Sequence, residues 1–127
     1  MDEVPFRDTR LIVARLLHQV LRSGHSAFAD LPFTEAAEVI LIVTAIYIAE
    51  NDGKPFSTLG LSKHLGMPRA TLLRRLTHLG NGIIIRDDGQ MRVNPQMFAP
   101  ISVENIRQLR QFIIDTGNEL SRVDGSL

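Results

Sequence analysis

Cysteine and tryptophan are both absent from this chain, tyrosine occurs once, as Tyr47, and the formal net charge is zero. Without cysteine there is no disulfide framework, no thiolate metal site and no cysteine nucleophile. That composition suits a reducing compartment, and a cytoplasmic location is expected. Long apolar stretches are lacking as well. The longest covers residues 36–49 and is interrupted by Glu38, Thr44 and Tyr47, whereas a bilayer span needs about 20 apolar residues. It reads as a helix buried on nearly all sides, with Tyr47 packed in the core and no membrane partner. The acidic start Met1-Asp2-Glu3, with no apolar segment directly after it, lacks a secretory pattern. His18, His25, His64 and His78 are too scattered to suggest a metal set. The adjacent carboxylates Asp87 and Asp88 have no nucleophile, metal-ligand set or phosphate loop beside them. The chain is therefore expected to be neither an enzyme nor a carrier of a metal or cofactor.

What the chain does have is an uneven distribution of charge. The balance is −4 over residues 1–53, +5 over residues 54–92 and −1 over residues 93–127. All the positive excess falls in one short segment, where a polyanion would dock.

The hydrophobic pattern divides 127 residues, about one domain's length, into a definite order of elements. A first helix is expected over residues 8–23, with Asp8 as cap and Gly24 as terminator. A second is expected over residues 34–50, capped by Thr34 and followed by the turn Asn51-Asp52-Gly53. Ser57 or Thr58 caps a short helix through Leu65, and Gly66 breaks it. Pro68 opens the next helix, whose Leu72, Leu73, Leu76 and Leu79 form a helical stripe. Residues 83–86 and 91–93 flank an Asp-Gly turn and read as a β-hairpin. Ser102 caps a last helix over residues 102–121, in which Ile106, Leu109, Ile113, Thr116 and Leu120 alternate at steps of three and four.

Function is expected to lie within residues 57–93. Two short helices joined by a tight glycine turn cross steeply, so the second protrudes and fits a major groove. With Leu72, Leu76 and Leu79 inward, Arg69 stands at the leading end, where base edges and phosphates are met. Ala70 and Thr71 permit close approach, Arg74 shares the side of Ala70, and Thr71 with Arg75 would adjoin a phosphate track. Ser57, Thr58, Lys63 and Pro68 belong to the same candidate surface. Arg86 and Arg92 flank the hairpin tip and would reach the minor groove or backbone.

The stretch from Leu59 to Leu79, with Gly66-Met67-Pro68-Arg69-Ala70-Thr71 at its centre and Gly82-Ile83-Ile84 after it, resembles the winged helix of MarR- and IclR-type bacterial regulators. The likeness covers about 36 residues, and the flanking helices extend it to the MarR-like plan. It implies a mainly α fold, a single winged helix-turn-helix domain over residues 1–127 whose terminal helices, 8–23 and 102–121, form a dimerisation region. It also implies a homodimeric regulator on pseudo-palindromic double-stranded DNA, with residues 68–79 in the major groove. MarR-like proteins often bind small aromatic acids, so a small-molecule effector is open, with no site legible for it. The tip residues Asp87 and Asp88 depart from the basic residues often found there. A winged helix serving only as a protein-interaction module is the competing expectation.

Overall fold

In the computed structural model, which describes residues 6–28, 30–98 and 103–123, the chain is mainly helical with one small antiparallel sheet. The order is α1 (Arg7–Ala27), α2 (Phe33–Asn51), α3 (Thr58–Leu65), α4 (Arg69–Leu79), β1 (Ile84–Asp87), β2 (Gln90–Val93), a 3₁₀ turn (Pro95–Phe98) and α5 (Val103–Arg122). The chain comprises two compact units: residues 30–98, and the terminal helices α1 with α5.

The core of the 30–98 unit is aliphatic. Ala36, Val39, Ile42 and Ile46 of α2 bury against the rest of the unit, joined by Leu61, Leu72, Leu76, Ile84, Met91 and Val93. Fully burying side chains of this size contributes roughly 1.5–3 kcal/mol each. Not all of α2 is covered. Leu41, Tyr47 and Ile48 are 56%, 44% and 60% exposed, so the helix is one-sided where its composition predicted burial all round. An apolar helix is ambiguous about which face is uncovered, because hydropathy does not alternate along it.

Local chemistry sets the short elements. Ser57 caps α3, its Oγ accepting the Gly60 N–H at 3.0 Å. Gly66 ends α3 at φ 64°, in the left-handed region, and the Met67 N–H closes back on the Ser62 carbonyl at 3.1 Å. The Ser62 hydroxyl donates to the Met67 carbonyl at 2.7 Å, which ties the same turn a second time. The hairpin turns through Asp88 (φ 50°) and Gly89 (φ 76°). Two consecutive positive φ values are those of a type I′ turn, whose twist matches that of the strands. The register pairs Ile84 with Val93, Ile85 with Arg92, Arg86 with Met91 and Asp87 with Gln90. The strands thus reach one residue closer to the tip on each side than the expected runs, β1 starting one residue later and β2 one residue earlier, in the register those runs imply. On the other edge of β2 the Met91 N–H donates to the Phe56 carbonyl at 3.1 Å.

Several expected boundaries move. Helix α1 passes through Gly24 to Ala27 and starts from Phe6, so Asp8 lies in its first turn and is not the cap. A single glycine inside a helix costs only about 1 kcal/mol relative to alanine, too little to stop it. Helix α2 starts from Pro32, with Thr34 inside the first turn. The expected cap Ser102 lies outside the described residues.

In the terminal unit α1 and α5 touch, with Arg15 3.9 Å from Glu119 across the pair. Among its described residues only Ile12 and Thr116 are buried. Leu17, Val20, Leu21, Ile106 and Ile113 are between 41% and 58% exposed. Among the described residues no helix is long and apolar enough to cross a membrane.

Candidate nucleic-acid interface

Helix α4 is amphipathic about its own axis. Leu72 and Leu76 are buried, while Arg69, Ala70, Arg74, Thr77 and His78 are exposed. Successive residues are about 100° apart on the helix, so Ala70, Arg74 and Thr77 lie on one narrow strip with His78 at its margin. Arg69 stands at the leading end, directly after the N-cap residue Pro68. Pro68 offers no side-chain cap, and the first intrahelical bond runs from the Leu72 N–H to the Pro68 carbonyl at 3.0 Å. Among the described residues the leading amide groups of α4 thus have no side-chain cap, and the helix dipole favours an anion there.

Thr77 and His78 were missed by the sequence reading. The available signal was their spacing of three and four residues from Arg74, which puts them on its side of the helix.

Arg75 faces the other way. Its Nε donates to Glu38 Oε2 at 3.0 Å and its Nη2 to Glu38 Oε1 at 3.5 Å, while Nη1 lies 3.6 Å from Glu35 Oε1. Its side chain is only 16% exposed. The hydrogen bond to Glu38 raises its pKa above the ordinary guanidinium value, and the charges of Glu38 and Glu35 act in the same direction. Arg75, expected on a phosphate track, is turned onto α2 and ion-paired with two carboxylates. The cause is nonlocal, since α2 brings its acids to the inner side of α4.

The remaining candidates are arranged as follows. Lys63 is exposed near the end of α3, next to His64, whose ring centroid is 4.9 Å from that of Phe56. Ser57 is exposed with its hydroxyl engaged in the cap, and Thr58 and Thr71 are half-buried. Arg86 and Arg92 are both exposed but stand on opposite faces of the hairpin. Directly paired residues share a face, so Arg86 is on the side of buried Met91 and Arg92 on the side of Ile85. Exposed Asp87 and Asp88 occupy the tip. Among the described residues of the candidate surface, Lys63, Arg69, Arg74, Arg86 and Arg92 are exposed cations in no ion pair, the last two on opposite faces of the hairpin. Set against protein-family models, curated proteins and solved structures, the chain matches none.

Proposed function

We propose that this chain is a sequence-specific double-stranded DNA-binding regulator of MarR-like type, acting as a homodimer in the cytoplasm. In this reading α3, the Gly66 turn and α4 form a helix-turn-helix, α4 is the recognition helix, and the hairpin is the wing. The observation that carries it is the split of α4: Leu72 and Leu76 buried on one side, Ala70, Arg74 and Thr77 uncovered on the other, and Arg69 exposed at the leading end. A helix so presented has the dimensions and polarity that a major groove admits. The Met91–Phe56 bond supports the plan, because it joins the segment before α3 to the hairpin as an incipient third strand. The uncovered aliphatic faces of α1 and α5 support a partner copy, which would bury them by symmetric pairing. Two recognition helices would then enter successive major grooves about 34 Å apart, and the target would be a pseudo-palindrome.

The test is selection of bound fragments from a random duplex library. Enrichment of a two-fold symmetric site is the expected result. With about three phosphate contacts per subunit, the log–log salt dependence of the dimer would have a slope of roughly −5. A slope near zero, with no duplex enriched, would overturn the reading in favour of a protein-interaction module. The exposed apolar terminal helices would then be its docking faces.

A further inference from the structure

Helix α2 reaches both parts of the proposed DNA-binding surface through side-chain carboxylates. At Glu38, assisted by Glu35, it holds Arg75 of α4. At Glu50 it holds the hairpin, the Val93 N–H donating to Oε1 at 2.9 Å. Twelve residues of helix separate these two grips, about 18 Å along the axis.

We infer that Arg75 is a positioning residue for DNA recognition, and that Glu38 and Glu50 make α2 the ruler that sets α4 and the hairpin in one frame. The inference rests on the reading of α4 as a recognition helix. Its physical basis is the geometry of the helix itself. Arg74 and Arg75 are neighbours, so about 100° of rotation about the α4 axis separates them. Any roll of α4 that brought Arg75 outward would carry Arg74 around by the same angle. A guanidinium held by two donors on one carboxylate has a fixed plane as well as a fixed distance. The fork on Glu38 therefore fixes the azimuth at which Arg74, Ala70 and Thr77 meet a groove. Were Arg75 to leave Glu38 for a phosphate, Glu35 and Glu38 would remain as two uncompensated carboxylates beside the polyanion, which opposes that exchange.

The roles separate by salt dependence. Each phosphate contact contributes about 0.9 to the slope. Arg74→Ala should flatten the dimer slope by up to about 1.8. Arg75→Lys keeps the charge but loses the planar fork. It should weaken binding to the selected duplex on the order of tenfold, comparable to one wrong base pair, with the slope unchanged. Glu38→Gln should do the same. The exchange Glu38→Arg with Arg75→Glu should recover most of the affinity. Affinities are compared per folded protein, well below each variant's melting temperature, so a merely stabilising pair would move Tm and not Kd. Wild-type affinity in Arg75→Lys, or a slope flattened as in Arg74→Ala, would overturn the inference. If the wild-type chain enriches no duplex, the DNA reading fails separately. The hold of α2 on α4 is then judged by a double-mutant cycle of melting temperatures for Glu38→Gln and Arg75→Lys: coupled losses support the strut, and additive losses overturn it.

Discussion

Arg74 and Arg75 are adjacent, chemically identical and opposite in setting, one exposed and one ion-paired, and the difference comes from which side of α4 each occupies. Composition cannot separate them, because the acids that claim Arg75, Glu38 and Glu35, lie 37 and 40 residues away on another helix. What the sequence does predict is the leucine side of the same helix. Leu72, 0% exposed, should cost about 2–5 kcal/mol of stability when changed to alanine, read from chemical denaturation at constant m-value. Arg74→Ala should leave that stability within about 0.5 kcal/mol of wild type. Its cost would fall on binding, about 1–3 kcal/mol if the side chain is bidentate to guanine and less if it meets phosphate. Denaturation and duplex titration of the two variants would thus show opposite profiles. Equal stability losses would mean that Arg74 is part of the packing.

Among the elements, those made by short-range chemistry were legible and those made by tertiary contact were not. The Ser57 cap, the Gly66 stop, the α4 boundaries and the Asp-Gly hairpin all follow from residues within a few positions of one another. The starts of α1 and α2 did not follow, because an available Asp or Thr caps a helix only where the backbone leaves helical geometry at that residue. The opposite facing of Arg86 and Arg92 could also have been read: runs 83–86 and 91–93 about the turn already pair Arg86 with Met91 and Ile85 with Arg92, and neighbours along a strand alternate faces. Gly66→Ala tests the turn that sets α3 against α4. Its open surroundings admit a Cβ, so the cost is the left-handed backbone alone, about 1–2 kcal/mol in thermal unfolding. Ser57→Ala should cost about 1 kcal/mol through the lost cap.

For the molecule as a whole, most of the buried apolar side chains belong to residues 30–98, while α1 and α5 leave long aliphatic faces uncovered. If a second copy covers them, the melting temperature should rise with protein concentration by mass action. Ile113→Lys should then give a monomer in sedimentation and remove that concentration dependence. A wild-type Tm that stays constant over a hundredfold dilution would count against the dimer. The pairing of α1 with α5 also bears on how the chain is made. About 75 residues separate Ala27 from Val103, so at 5–20 residues per second synthesis of α1 ends roughly 4–15 s before synthesis of α5 begins. The intervening segment is continuous and carries its own core, so it can fold during that interval, while α1 waits with its leucines open to water. Because Leu17, Val20 and Leu21 stay exposed even with α5 in place, capture of the chain by a holdase chaperone would end only when a second copy covers them.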